Sequence, residues 1–205
     1  MTARIDHAVL EGTFSLDGET FDVENNLWVV GDDTECVVID APHDVDAILA
    51  VVGDRRVKAI LATHAHDDHV LVAPALRERV QAPILLHPDD RPLWELTHRD
   101  ELWDHDLTDG QLIEVAGTTL RVLHTPGHAP GGVCFYAEDL GCVFSGDTLF
   151  HGGPGATGRS YSDKDVLAAS IRDTLFPLPD ETVVHTGHGE DTTIGAEKAH
   201  VPAEG

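Results

Sequence analysis

The sequence predicts an α+β fold built from two β-rich halves, each accompanied by helices. Three observations predict it. Short apolar runs bounded by turn residues recur at 27–30, 36–39, 57–62, 133–136 and 142–144, the pattern of buried strands. Fewer stretches have helical spacing, and strands bracket them in two successive halves, an order that fits two sheets packed face to face under helices. At 205 residues the chain is long enough to bury a substantial core as one domain, 1–205.

Taken in order, residues 5–40 read as short strands joined by turns, with Gly31-Asp32-Asp33 as one turn signal. The strand over 36–39 ends at Asp40. Val45, Ile48, Leu49 and Val52 predict a helix over 43–53. A strand over 57–62 and a helix over 70–80 flank the histidine-rich segment between them, and a strand over 83–86 follows. Between 87 and 110, His87, Trp94, His98, Trp103 and His105 alternate with acids. Either the tryptophans line a pocket over the active site, or they pack a satellite core. These histidines lack ligand spacing and stay outside the candidate site. Residues 111–115 and 118–124 form a hairpin around Ala116-Gly117, followed by strands over 133–136 and 142–144. The glycine-rich stretch 152–158 lacks the Gly-Lys-Ser/Thr ending of a P-loop and reads as a mobile active-site loop. Ser162 and Asp163 cap a helix whose Val166, Leu167, Ser170, Ile171 and Leu175 face inward. The last strand covers 182–185.

Composition excludes several classes. With 37 acidic and 13 basic side chains, the formal charge of −24 repels phosphate backbones and argues against nucleic acid as a partner. No stretch approaches the roughly 20 apolar residues of a membrane helix. The start, Met1 to Asp6, lacks the basic and apolar pattern of a signal peptide, so a cytoplasmic, membrane-free protein is expected. Cys36, Cys134 and Cys142 are odd in number and widely spaced, which predicts buried thiols rather than disulfides or a zinc knuckle.

The chemistry concentrates in Thr63-His64-Ala65-His66-Asp67-Asp68-His69. Imidazole and carboxylate together suit zinc, iron or manganese. His64 and His66, two apart, can chelate one ion from an extended segment. Asp68 and His69 sit at the helix start and point elsewhere, toward a second ion. Downstream, Pro126-Gly127 makes a turn that presents His128. Ser145-Gly146-Asp147 puts a carboxylate at a strand end, and Thr186-Gly187-His188 follows the last strand.

His64-x-His66-x-Asp68-His69 resembles the signature of the metallo-β-lactamase superfamily, and residues 25–198 are most similar to its glyoxalase II (hydroxyacylglutathione hydrolase) branch. The resemblance implies a four-layer αββα metallo-β-lactamase sandwich with the site at one edge between the sheets. It implies two divalent metal ions, zinc foremost, with iron or manganese as alternatives. His64, His66 and His128 resemble the ligands of the first ion; Asp68, His69 and His188 resemble those of the second. Asp147 resembles the carboxylate that bridges them. The implied nucleophile is a metal-bridging hydroxide, with Asp68 as the catalytic group that accepts its proton. Asp40 stands either to orient a ligand histidine or to make a turn, and Asp67 is a second candidate for orienting. Arg159 stands either to meet a substrate carboxylate or to pair with Asp163 or Asp165.

The implied substrate is a small-molecule thioester, hydroxyacyl or formyl, acted on by a monomer or homodimer. Two departures bear on this. Val70 and Leu71 replace a glycine pair common in the family, and residues 189–205 do not supply the helical domain that binds glutathione in glyoxalase II. Two other activities of the superfamily stay open. One is a persulfide dioxygenase with a single iron on residues matching His64, His128 and Asp147. The other is a lactonase or β-lactamase; Asp147 favours the hydroxyacyl-type branch over the lactamases that have cysteine there.

Overall fold

The computed structural model describes residues 3–201. The first sheet contains β1 (Arg4–Leu16), β2 (Glu19–Gly31), β3 (Glu35–Ile39), β4 (Arg56–Leu61), β5 (Ile84–Leu86) and β6 (His105–Asp106), side by side in that order. β1 to β3 run antiparallel and β3 to β6 parallel. The second sheet begins with the antiparallel β7 (Leu112–Val115), β8 (Thr118–His124), β9 (Val133–Ala137) and β10 (Cys142–Gly146). The chain then makes a small separate ribbon, β11 (Leu149–Phe150) and β12 (Gly153–Pro154). It returns as β13 (Val183–Thr186), parallel to β10, and β14 (Thr192–Thr193) on the edge.

Alternation along the strands builds three apolar layers. Val30, Val37, Ile39 and Leu61 from the first sheet meet Leu120, Val122, Phe135 and Phe144 from the second. Their neighbours Val29 and Val38 point outward, onto α1 (Val45–Val52), α3 (Ala73–Val80) and α4 (Arg91–Thr97), which contribute Ile48, Leu76 and Trp94. On the other outer face, Cys134, Tyr136, Val143 and Val184 pack against Leu167, Ile171, Leu175 and Ile194. Those side chains come from α5 (Lys164–Ser170), the π-turn Ile171–Leu175 and α6 (Ile194–Glu197). The order is helices, sheet, sheet, helices, the expected αββα sandwich. Asp44 and Asp163 start α1 and α5 by accepting two backbone N–H groups each.

Several expectations are corrected. Residues 5–40 open not with short strands but with a long hairpin of two 13-residue strands, β1 and β2, and only β3 is a short strand as expected. The helical pattern over 70–80 is split into α2 (Asp67–Val70) and α3, because the chain bends at Leu71 and Val72. Of the two readings of the tryptophans, the satellite core holds: Trp94 and Trp103 are buried in the helix-side core, and the Trp94 indole donates to the Glu101 carbonyl. Val166 is 41 % exposed rather than inward, since one turn of α5 faces solvent there. The three cysteines are buried free thiols, pushed up to between about 11 and about 12 by burial. No helix among the described residues is long and apolar enough to cross a membrane. Residues 202–205 of the tail and Met1-Thr2 lie outside the described residues.

Candidate metal centre

Four C-terminal strand ends meet at one edge of the sandwich. β4 delivers His64, His66, Asp68 and His69; the turn after β8 delivers His128; β10 delivers Asp147; β13 delivers His188. Parallel strands with buried sides end in loops, so polar side chains collect there without breaking the core. Three short links tie the two sheets together at this edge. Thr63 carbonyl accepts from Val133 N–H at 2.8 Å, Gly187 carbonyl accepts from Asn26 N–H at 2.8 Å, and the Trp28 indole donates to Thr186 carbonyl at 3.0 Å.

The structure brings all seven expected residues together in two adjoining groups. His66 Nδ1 lies 3.0 Å from both His64 Nε2 and His128 Nε2. In the second group His69 Nε2 lies 3.3 Å from His188 Nε2, and Asp68 Oδ2 lies 3.2 Å from His188 Nε2 and 3.6 Å from His69 Nε2. Asp147 stands between them: Oδ1 is 3.3 Å from His69 Nε2, while Oδ2 is 3.4 Å from His188 Nε2 and 3.6 Å from His128 Nε2. Two glycines make the approach possible. Gly146 has φ +49, and a Cβ there would press on the Thr63 side chain; a Cβ on Gly187 would meet Asp147 Oδ1 and the His69 ring.

The outward nitrogens decide what the inward ones can do. His128 Nδ1 donates to Ala156 carbonyl at 2.7 Å and His188 Nδ1 to Glu24 carbonyl at 2.6 Å. His69 Nδ1 donates to Asp40 Oδ2 at 2.7 Å. The Thr63 hydroxyl donates to the same carboxylate at 2.9 Å, and so accepts from His64 Nδ1 at 3.1 Å. Each of these imidazoles therefore keeps a proton outside and turns Nε2 into the site. In the first group, Nε2 of His64 and of His128 both face His66 Nδ1, which can supply a proton to only one of them. Asp147 Oδ1 is buried with no hydrogen-bond partner. Metal–nitrogen bonds of about 2.0–2.1 Å put tetrahedral ligands about 3.3 Å apart, and the inward atoms have that spacing. The donor set fits transition-metal ions in both groups.

Electrostatics separate the two halves. Burial, then the neighbouring His69 and His66, hold His64 well below the usual imidazole range, and burial with His128 brings His66 to about 3. Both stay neutral and free to ligate. Burial alone would lower His69, but Asp68, Asp147 and Asp40 together hold it well above its ordinary range. His188 is raised to about 10 against its own burial, chiefly by Asp147. Burial would raise Asp147, yet His69 and His188 keep it well below the carboxylate range. The second group is a well of negative charge for which protons and cations compete.

Other expectations are refined. Asp40 takes the orienting role and also accepts Thr63 N–H at 2.7 Å, from a backbone at φ +63 that turns its carboxylate under the loop. Asp67 does not orient a histidine; it accepts Ser15 N–H from β1 at 3.0 Å. Arg159 pairs with neither Asp163 nor Asp165. Its guanidinium meets Glu19 at 2.9 Å and lies over Phe21 at 4.6 Å, where the tip of the β1–β2 hairpin reaches the loop after β12. Ser145 is buried and donates to Leu149 carbonyl at 2.8 Å, a structural role. Sequence reasoning missed Asn25, which donates to Asp68 Oδ2 at 3.0 Å and accepts from His43 at 2.7 Å. It also missed Asp90, which accepts Ala65 N–H at 2.7 Å and Gly131 N–H at 2.5 Å. The one sequence signal for Asn25 was a polar pair opening the buried run 27–30; Asp90 gave none.

Residues 21–188 match the family model of the metallo-beta-lactamase superfamily. The chain belongs to the metallo-β-lactamase superfamily. It is 31 % identical to the hydroxyacylglutathione hydrolase GloC of Haemophilus influenzae over 87 % of this chain and 92 % of that one. Among solved structures, the B3 metallo-beta-lactamase BLEG-1 is 32 % identical with a TM-score of 0.79, covering 94 % of this chain and 98 % of that one. TTHA1623, solved in a di-iron-bound form, is 35 % identical with a TM-score of 0.77, covering 95 % and 99 %. Metallo-β-lactamase superfamily proteins bind metals, often two, through His/Asp clusters of this kind.

Proposed function

We propose that the chain is a metal-dependent hydrolase of small thioesters. His64, His66 and His128 would hold one ion and Asp68, His69 and His188 a second, with Asp147 standing between the two groups. The observation that supports this most strongly is the convergence of seven donors, with the outward nitrogens of His64, His69, His128 and His188 already committed so that their Nε2 lone pairs face inward. Two bound ions supply a water activated from a pKa of 15.7 to about 7, and a Lewis acid for a carbonyl oxygen.

The remaining work falls to the chain's own groups. Asp40 fixes the tautomer of His69 directly and of His64 through Thr63. Asp68, steadied by Asn25, offers a carboxylate oxygen to take a proton from the attacking water. Phe14, its ring 5.0 Å from that of His66, and Phe150, 6.2 Å from His188, give the site apolar walls that suit a short acyl group and limit water. A thiolate leaving group, with a pKa of about 8.5, departs with little help from an acid, so a thioester suits this site.

The zinc-loaded protein is expected to turn over hydroxyacyl- or formyl-thioesters with higher kcat/KM than lactones or β-lactams, and His66→Ala is expected to lose that hydrolysis. A second reading keeps one support of its own, since His64, His128 and Asp147 match the three iron-holding positions of a persulfide dioxygenase and His128 Nε2 lies 3.6 Å from Asp147 Oδ2. Oxygen uptake with a persulfide by the iron-loaded protein, without thioester turnover, would replace the hydrolase reading.

A further inference from the structure

A third set of metal-type donors stands outside the seven. His87, at the end of β5, and His124, at the end of β8, come from different sheets, and Asp89 lies in the turn after His87. One donor atom from each falls within 4.8 Å of the others. The two imidazoles face each other with ring centres 4.0 Å apart and planes 13° from parallel.

The hydrogen bonds say which atoms are available. His124 donates Nε2–H to Pro130 carbonyl at 3.1 Å, which leaves a lone pair on Nδ1. A backbone carbonyl on the outer nitrogen is the arrangement that fixes a ligating histidine, as at His128 and His188. His87 Nδ1 accepts from Asp89 N–H at 3.4 Å, a long bond that an ion can displace to take the same lone pair. Asp89 Oδ2 lies 3.8 Å from that nitrogen, close enough for one cation to meet both once the N–H bond gives way. Burial, then His124, hold His87 below the ordinary imidazole range, so it does not supply the positive charge itself. The His87 side chain is 11 % exposed and that of Asp89 60 %, which gives an ion a path from solvent. Parallel rings direct their lone pairs side by side, so taking an ion tips one imidazole out of the stack.

We propose that His87, His124 and Asp89 form an auxiliary site for a divalent transition-metal ion such as zinc, which clips the end of β5 to the end of β8. It lies outside the reacting centre and does not rest on the hydrolase reading. Its effect is structural: it fastens the strand end that leads into the His128 turn.

The test uses zinc itself. Protein stripped by chelator, reloaded with excess zinc and desalted is analysed for zinc per chain. The His87→Gln/His124→Gln double variant is expected to hold one zinc fewer than wild type, while His66→Ala keeps that auxiliary ion. Equal zinc in wild type and the double variant, with native circular dichroism, overturns the site whether or not the seven-residue centre binds metal. If the double variant does not fold, Asp89→Asn serves instead. Zinc competition with a chromophoric chelator should then reveal a site weakened about tenfold or more, and unchanged affinity overturns the proposal.

Discussion

At the scale of single residues, Asp40 shows how much depends on side chains that are not donors to the site. Its two oxygens collect Thr63 N–H, the Thr63 hydroxyl and His69 Nδ1–H, so one carboxylate sets the proton positions of two imidazoles. Asp40→Asn places an NH₂ against donors that need an acceptor. It is expected to lower metal affinity, and the proposed hydrolysis with it, about 10–100-fold while leaving the fold intact, measured by chelator competition beside circular dichroism. The seven donors were legible in the sequence because each residue type matched a family position. Asp40 was legible only as one of two alternatives, since a turn aspartate and an orienting aspartate look alike until the partner is seen. Asp67 and Arg159 misled for the same reason: their partners, Ser15 and Glu19, lie more than 50 residues away in sequence.

At the scale of elements, the short helical turn at 88–90 proves to be a brace. Asp90 is fully buried and joins the His64–His66 loop to the turn that carries His128. Burial pushes its carboxyl up to about 7 from an ordinary 3.8, although the Gly131 and Ala65 N–H groups oppose this. The folded state therefore holds the proton more tightly than the unfolded one. The resulting stability is fully present below about 3.8 and is lost as the pH rises through about 7. Asp90→Asn does not titrate, so the stability difference, wild type minus variant, should shrink as the pH rises across that window. Denaturant melts of the metal-free proteins check it, and a constant difference would contradict the assignment. Hydrophobic periodicity located most strands and helices but not this brace, because a buried carboxylate in a polar stretch leaves no periodic trace. The β1–β2 hairpin was read as short strands because alternation on a half-exposed ribbon is weak until pairing is known.

At the scale of the whole molecule, two sheets that share one apolar layer hold the four strand ends in register. Phe135 is fully buried in that layer. Phe135→Ala is expected to cost about 3–5 kcal/mol in urea unfolding of the metal-free protein, by lost transfer energy and the cavity left behind. The layered order itself was legible only through the family resemblance, since strand and helix counts fit several two-layer arrangements. The acidic surface, by contrast, was plain from composition. The central claim is that seven side chains from four strand ends enclose two cations. Metal analysis of purified protein in the His87→Gln/His124→Gln background tests it most directly. Two transition-metal ions per chain, with loss of metal on adding His66→Ala, is the predicted result; one ion or none would contradict it.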